Sequence, residues 1–303
     1  MNGPNIEDQI NKENQVLPTK PRLSLPTQRT FGTDLSKIVA AGPNPSSNPQ
    51  ILEYYSEEIF THLHSTEHLC VAKAGYMSKQ TEINEKMRAI LIDWLIDVHH
   101  RFKLATETLY LTVNIIDRYL EVTAITKGRL QLVGVTAMLI ASKYEDIFPP
   151  EVQDFVNISD KAFAREDVLK MERSILKQLK YAVTVPSAYR FLQRYCKLGN
   201  STEPQMAFAM YFIELSLVDY KMLKFSNSLI AAGAVYLMHK FKEIKPEWPQ
   251  ALVQGSPYKE DDLKICAKEL CSLFQQANRS NLQAVKNKFS STSFYQVAIT
   301  PYI

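Results

Sequence analysis

The chain has few glycines, no paired cysteines and no long run of a single charge or of apolar residues. Nine glycines in 303 residues leave little material for hairpin turns, and no stretch alternates with a strand period beside turn residues. The reading is therefore all-α. The four cysteines, Cys70, Cys196, Cys266 and Cys271, form neither a C-x-x-C pair nor a disulfide-dense spacing. That favours free thiols in a reducing compartment, the nucleus or the cytoplasm. The formal charge is only +3, and Lys and Arg are mixed with Asp and Glu, which argues against a nucleic-acid track or a membrane-surface patch. The longest strongly apolar stretch, around Leu132 to Ala141, is about half of what a bilayer span needs. No phosphate-cradling glycine loop, dinucleotide fingerprint or kinase signature is present, so catalysis of phosphate chemistry and a nucleotide cofactor are not expected.

Residues 1–50 hold seven of the fifteen prolines and a single aromatic, Phe31. Such a segment cannot bury enough apolar surface to offset the entropy of ordering it, and a disordered tail is expected. From Ile51 onward Tyr55, Ile59 and Leu63 recur at helical spacing and predict a short first helix. Glu85 to Phe102 is apolar on most of its circumference, with Met87, Ile90, Leu91, Trp94, Leu95, Val98 and Phe102 on one stripe and Ala89, Ile92 and Ile96 beyond it. Such a helix belongs inside a bundle. Thr106 reads as the N-cap of a helix through Leu120, followed by helices over Arg129–Tyr144 and Arg165–Leu179, with Pro149-Pro150 breaking the chain between them.

The segment Leu132 to Tyr144 can be laid on Leu229 to Phe241 without a gap, so that Gly134, Thr136 and Ala137 fall on Ala231, Gly233 and Ala234. Matching small residues allow close helix approach, and the pattern predicts two copies of one helical unit, 51–183 and 184–303, joined near Val183 to Pro186. Chance similarity of two small-residue helices is the bland alternative. Arg88 and Asp117 each sit among apolar neighbours, where an unpaired charge costs several kcal/mol, so they are expected to pair.

Met87-Arg-Ala-Ile-Leu-Ile-Asp-Trp-Leu-Ile-Asp97 and Leu130 to Val152 closely resemble the cyclin box of A- and B-type cyclins. Tyr76-Met77, Asp117-Arg-Tyr-Leu120 and Lys170-Met-Glu172 extend the likeness over most of 51–183. It continues through Glu214 to Tyr220, the Ile230 helix and Val285 to Lys288. Gly75-Tyr-Met77 is similar to A-type relatives, whereas Ile83 to Trp94 and Val218-Asp-Tyr220 are similar to B-type ones, and the balance leans to B.

The resemblance implies a tandem pair of five-helix folds acting as the activating, non-catalytic subunit of a cyclin-dependent protein kinase in mitosis. It assigns Lys143 and Glu172 to hydrogen bonds with kinase backbone, and Tyr144, Tyr181 and Val183 to an apolar floor; periodicity alone would place those three in the core. Tyr55 and Ile59 match further kinase-contact positions. Met87, Ile90, Leu91, Trp94, Asp97 and Gln131 resemble a groove that docks Arg-x-Leu motifs of substrates and inhibitors, with Asp97 where many relatives carry Glu. The Arg88–Asp117 pair is architectural in the family. Lys12-Glu13-Asn14 matches a KEN degradation signal and Arg22-x-x-Leu25 the minimal core of a destruction box, which imply a mitotic ubiquitin ligase as partner.

Two other classes compete. His64-Ser-Thr-Glu67-His68 fits the H-x-x-E-H pattern of zinc hydrolases, with His62 and Cys70 close in sequence, although no distal carboxylate is picked out as third ligand. It falls in the expected connector after the first helix, where surface histidines are the default, and no metal is expected. An adaptor or transcription-factor use of the same fold would call for a basic surface that the composition lacks.

Overall fold

Residues 55–300 are described here in a computed structural model. They contain α-helices and short 3-10 turns, and no strand occurs among them. The helices are α1 (Ser56–Thr66), α2 (Glu85–Phe102), α3 (Thr106–Val122), α4 (Leu130–Glu145), α5 (Val152–Ile158), α6 (Arg165–Gln178), α7 (Ala188–Leu198), α8 (Glu203–Val218), α9 (Asn227–Phe241), α10 (Gln250–Gln254), α11 (Glu260–Ala277) and α12 (Ala284–Phe289). Helices α2–α6 and α7–α11 form two five-helix repeats with α4 and α9 in corresponding places.

Those two helices are central for the same reason. From Leu132 to Ser142 every residue of α4 is buried, and α9 is buried from Ile230 to His239. α4 packs on α3 and α6, and α9 on α7, α8 and α11. Small residues set the approach. A Cβ on Gly134 would lie 2.7 Å from Leu91 Cδ1 and 3.1 Å from Leu95 Cδ1, and one on Gly233 would lie 3.3 Å from Cys266 Sγ. The short helices α5 and α10, which periodicity did not reveal, complete the two repeats; five to seven residues carry too little pattern to be read.

Capping differs from expectation at α3. Thr106 is the first helical residue and not the cap. Asp146, just past the end of α4, instead accepts the Ala105 N–H through Oδ1 at 2.8 Å and the Thr108 hydroxyl through Oδ2 at 2.6 Å. A carboxylate brought by tertiary packing thus satisfies the helix start, which no local motif announces. α2 has an ordinary cap, Asn84 Oδ1 accepting from Met87 N at 3.1 Å, and stops at Lys103, whose φ of 54° is left-handed.

The repeats share a wall. On one side of α2, Leu91, Leu95 and Val98 enter the core of the first repeat. On the other, Ile92 and Ile96 join Leu109, Tyr110 and Val113 of α3 in the core of the second. α12 closes this junction against α2 and α8. There Lys288 Nζ donates to Glu214 Oε1 at 2.6 Å, both side chains being buried. Burial pushes the Glu214 carboxyl up in spite of the lysine charge. His99 lies at the same junction, its Nε2 2.8 Å from the Ala105 carbonyl, and burial followed by the Lys288 charge pushes it down to about 4.

Two outcomes follow for stability. Lys288→Met alone should lower the unfolding free energy by about 3–5 kcal/mol, because a buried acid is left without its partner, while Glu214→Leu with Lys288→Met should recover most of the loss; urea denaturation checks both. For His99, the unfolded chain takes up between about pH 6.5 and 4 a proton that the folded chain refuses, so stability falls as pH drops through that window. Going from pH 7 to 5, wild type should lose about 2 kcal/mol more than His99→Gln. The Glu214 contribution has the opposite sign and is common to both proteins.

Candidate functional site

Arg88 is fully buried on α2 and meets Asp117 on α3 in a two-point contact, Nε to Oδ1 and Nη2 to Oδ2, both 2.6 Å. The Tyr76 hydroxyl donates to the same Oδ1 at 2.7 Å. The remaining guanidinium nitrogen, Nη1, donates to the carbonyls of Leu217 at 3.1 Å and Val218 at 3.3 Å, at the C-terminus of α8. A cation there completes carbonyls that the helix leaves unpaired. Burial disfavours the charge on Arg88, but the carboxylate outweighs it and the guanidinium is held above its ordinary range. This cluster is structural. It fixes α2, and α2 presents a candidate groove.

α2 is buried on two flanks and open along a third strip. Ile90 is 60% exposed, Met87 and Trp94 are half-buried, and Asp97 is exposed at the far end; Gln131 is half-buried at the start of α4. Leu91, read with the groove residues from its spacing, is buried against Gly134 and lies beneath the strip, not in its surface. An exposed isoleucine flanked by a half-covered tryptophan and methionine, with a carboxylate at one end, suits an apolar side chain next to a cation. Burial raises the Asp97 carboxyl above its ordinary value, while the charge of His100 pulls the other way.

The second face lies at the ends of α4 and α6. Lys143 Nζ is 2.7 Å from Glu172 Oε1, so these two charges hold one another across the two helices. One ammonium proton is used, so two N–H donors of Lys143 and further carboxylate lone pairs of Glu172 are left over from this contact. Tyr144 and Tyr181 are exposed, against the core placement that periodicity alone suggests, while Val183 is half-buried and packs against the core of the first repeat. The Tyr144 side chain is steadied by a hydrogen bond with Thr184. Ile147 and Phe148, 88% and 91% exposed, stand directly after Asp146 and were not singled out from the sequence. Pro149-Pro150 is the signal the sequence carries, since it bars a helix from running on past this pair, whereas the commitment of Asp146 to α3 is visible only in the fold.

Tyr55 stands at the N-cap of α1 and Ile59 lies on it. That helix packs on the core of the second repeat through Phe60 and Leu63, so the structure places them on a different support from Lys143 and Glu172. At its end Glu67 accepts the Ser228 N–H at 3.0 Å and the Ser228 hydroxyl at 2.6 Å, fastening α1 to the start of α9. Burial raises the Glu67 carboxyl, yet the bonds from His64 and Ser228 outweigh this and hold it below its ordinary value. The zinc-hydrolase reading loses its general base here, since Glu67 is spent on a helix start. His64 sits on the last turn of α1, not in a connector, with its ring 4.7 Å from that of Phe191. No three His, Cys, Asp or Glu side chains are grouped as a metal site among the described residues. Lys12, Glu13, Asn14, Arg22 and Leu25 lie outside the described residues.

Residues 58–184 match the profile of the cyclin N-terminal domain, and residues 186–302 that of the cyclin C-terminal domain. The chain belongs to the cyclin family. It is 42% identical over 249 residues to Cyclin-B2-1 of Oryza sativa subsp. japonica, covering 82% of this chain and 59% of the relative. It is likewise 42% identical over 271 residues to the G2/mitotic-specific cyclin-B of Patella vulgata, covering 89% of this chain and 66% of the relative. The chain thus spans about 59% of the length of the first of these cyclins and 66% of the second. Among solved structures, a viral cyclin from herpesvirus saimiri superposes with a TM-score of 0.63 at 24% identity, covering 71% of this chain and 97% of that one. That likeness shows the fold. The lean towards B-type over A-type agrees with the names of these relatives.

The Arg88–Asp117 and Lys143–Glu172 pairs of this cyclin should respond differently to truncation. Arg88→Ala leaves the Asp117 carboxylate and the α8 carbonyls buried without a donor and should cost about 3–5 kcal/mol. Lys143→Ala, at a lysine whose side chain is 45% exposed, should cost less than about 1 kcal/mol. Urea denaturation of the two variants measures the contrast.

Proposed function

We propose that this cyclin is the regulatory subunit of a cyclin-dependent serine/threonine kinase and acts in mitotic cell-cycle progression. The observation that carries the reading is the face built from Lys143–Glu172, Tyr144, Tyr181, Ile147 and Phe148: apolar side chains left open around a preformed charge pair. A soluble chain gains by covering such a face with a partner. Charges already held in place lose little freedom on binding, so the face can select one arrangement of a partner segment.

A protein kinase is active only when its lysine-glutamate ion pair and its metal-binding aspartate are in place together, which depends on one small-lobe helix and on the activation loop. A rigid body complementary to the active arrangement shifts a population that the kinase alone barely occupies. The wall shared between the repeats supports this role, because it makes the binding body stiff. Catalysis stays on the partner. The strip on α2 would dock Arg-x-Leu segments, their leucine on Ile90, Met87 and Trp94 and their arginine near Asp97. The sequence signals at Lys12-Glu13-Asn14 and Arg22-x-x-Leu25 would bring a ubiquitin ligase that ends the complex.

The test is phosphorylation of a histone peptide by a purified mitotic cyclin-dependent kinase with and without this chain. Wild type should raise the rate by orders of magnitude. The Lys143→Ala/Glu172→Ala and Ile147→Ala/Phe148→Ala double variants should need at least tenfold more protein for the same rate. Trp94→Ala should instead raise KM about tenfold for a substrate carrying Arg-x-Leu and leave that of the short peptide unchanged. No stimulation of any such kinase by a folded wild-type chain would sink the reading.

A further inference from the structure

The start of α1 carries a polar contact that the proposed kinase and substrate surfaces do not use. Ser56, the first residue of the helix, is half-buried, and its Oγ lies 2.5 Å from Arg194 Nη1 on α7. Arg190 precedes Arg194 by one turn. Both guanidiniums lie over the Phe60 ring, Arg190 at 5.8 Å and Arg194 at 5.3 Å from its centroid. Phe60 follows Ser56 by one turn of α1, so the two arginines converge on the helix face that begins at the Ser56 hydroxyl. A neutral hydroxyl is a poor match for two cations. Neither arginine forms an ion pair among the described residues, and Arg194 Nε is buried with no hydrogen-bond partner. Arg190 Nη1 donates to Gln193 Oε1 at 3.3 Å and the Glu57 carboxylate acts on Arg194 without an ion pair, so the Arg194 Nε donor is what the site leaves unmatched.

We propose that Ser56 is a phosphorylation site whose phosphate is gripped by Arg194 and Arg190. A phosphate there adds about two negative charges and three acceptor oxygens, which guanidiniums bind in paired contacts. It would also stand at the N-terminal end of an eleven-residue helix, whose dipole favours an anion. Glu57 and Glu58 follow directly and are exposed, so a serine/threonine kinase that selects acidic flanks can read the segment, while their repulsion of the phosphate is screened by solvent. In the step itself, the γ-phosphoryl of MgATP passes to Ser56 Oγ. The bond to the β-phosphate oxygen breaks as the P–Oγ bond forms, ADP leaves, and the hydroxyl proton goes to solvent.

The modified residue would rivet α1 to α7. Since α1 bears Ile59 and is preceded directly by Tyr55, the phosphate would set how firmly that helix is presented. This consequence rests on the function proposed above, whereas the site itself does not.

The experiment uses the full chain, an acid-directed serine/threonine kinase and MgATP, with intact-mass and peptide mapping followed by thermal unfolding. The expected result is one phosphoryl group at Ser56, absent in Ser56→Ala, and a melting temperature about 3 °C above that of the unmodified chain. Arg190→Gln/Arg194→Gln should accept the phosphoryl group without that rise, and the single variant Arg190→Gln should show part of it if the double variant does not fold. Failure to phosphorylate Ser56 in the folded chain, or a phosphorylated chain that melts no higher, overturns the proposal. Neither readout involves a cyclin-dependent kinase, so it can fail while the proposed function stands.

Discussion

The buried contact between Arg88 and Asp117 is the constraint on which the rest of the molecule depends. One guanidinium is divided between a carboxylate on α3 and two carbonyls that end α8, and the carboxylate also takes the Tyr76 hydroxyl. Removing two charges from water costs several kcal/mol for each ion, and only near-complete hydrogen bonding returns it. That demand makes the arrangement specific: α2, α3, the turn at Tyr76 and the end of α8 satisfy it together. Tyr220 adds to the same knot, its hydroxyl accepting the Met77 N–H at 2.8 Å and its ring lying edge-on to Tyr76.

From this knot α2 is held in one rotation about its axis, and that rotation decides what solvent meets. Ile92 and Ile96 are committed to one core, and Leu91 and Leu95 to the other. What remains is Ile90 with its neighbours, an open apolar strip on a helix that cannot turn to hide it. The face at Lys143 has a similar origin. Asp146 caps α3, so the chain after α4 must leave the body at that point, and Ile147 and Phe148 leave with it.

Much of this was legible in residue patterns. The bounds of α2, the correspondence of α4 with α9 and the partnership of Arg88 with Asp117 follow from periodicity, small-residue spacing and the cost of a buried charge. What escaped shares one property, distance along the chain. Glu214 and Lys288 are 74 residues apart, Glu67 and Ser228 are 161 apart, and neither carboxylate is marked by its own neighbours. Thr106 has the chemistry of a cap in the right place, yet Asp146, 41 residues from Ala105, does the capping instead. Tyr144 and Tyr181 misled in the other direction, since helical spacing reports which residues could be covered and is silent on whether the cover belongs to the same chain.

The shared wall has a consequence for how such a molecule can change over time. Two repeats joined only by a linker could drift apart, each altering its packing without regard to the other. Here a single helix supplies side chains to both interiors from opposite flanks, so a replacement that rotates or shifts α2 is felt in both at once. The duplicated halves have thereby lost their independence: they must be inherited, and revised, as a single unit.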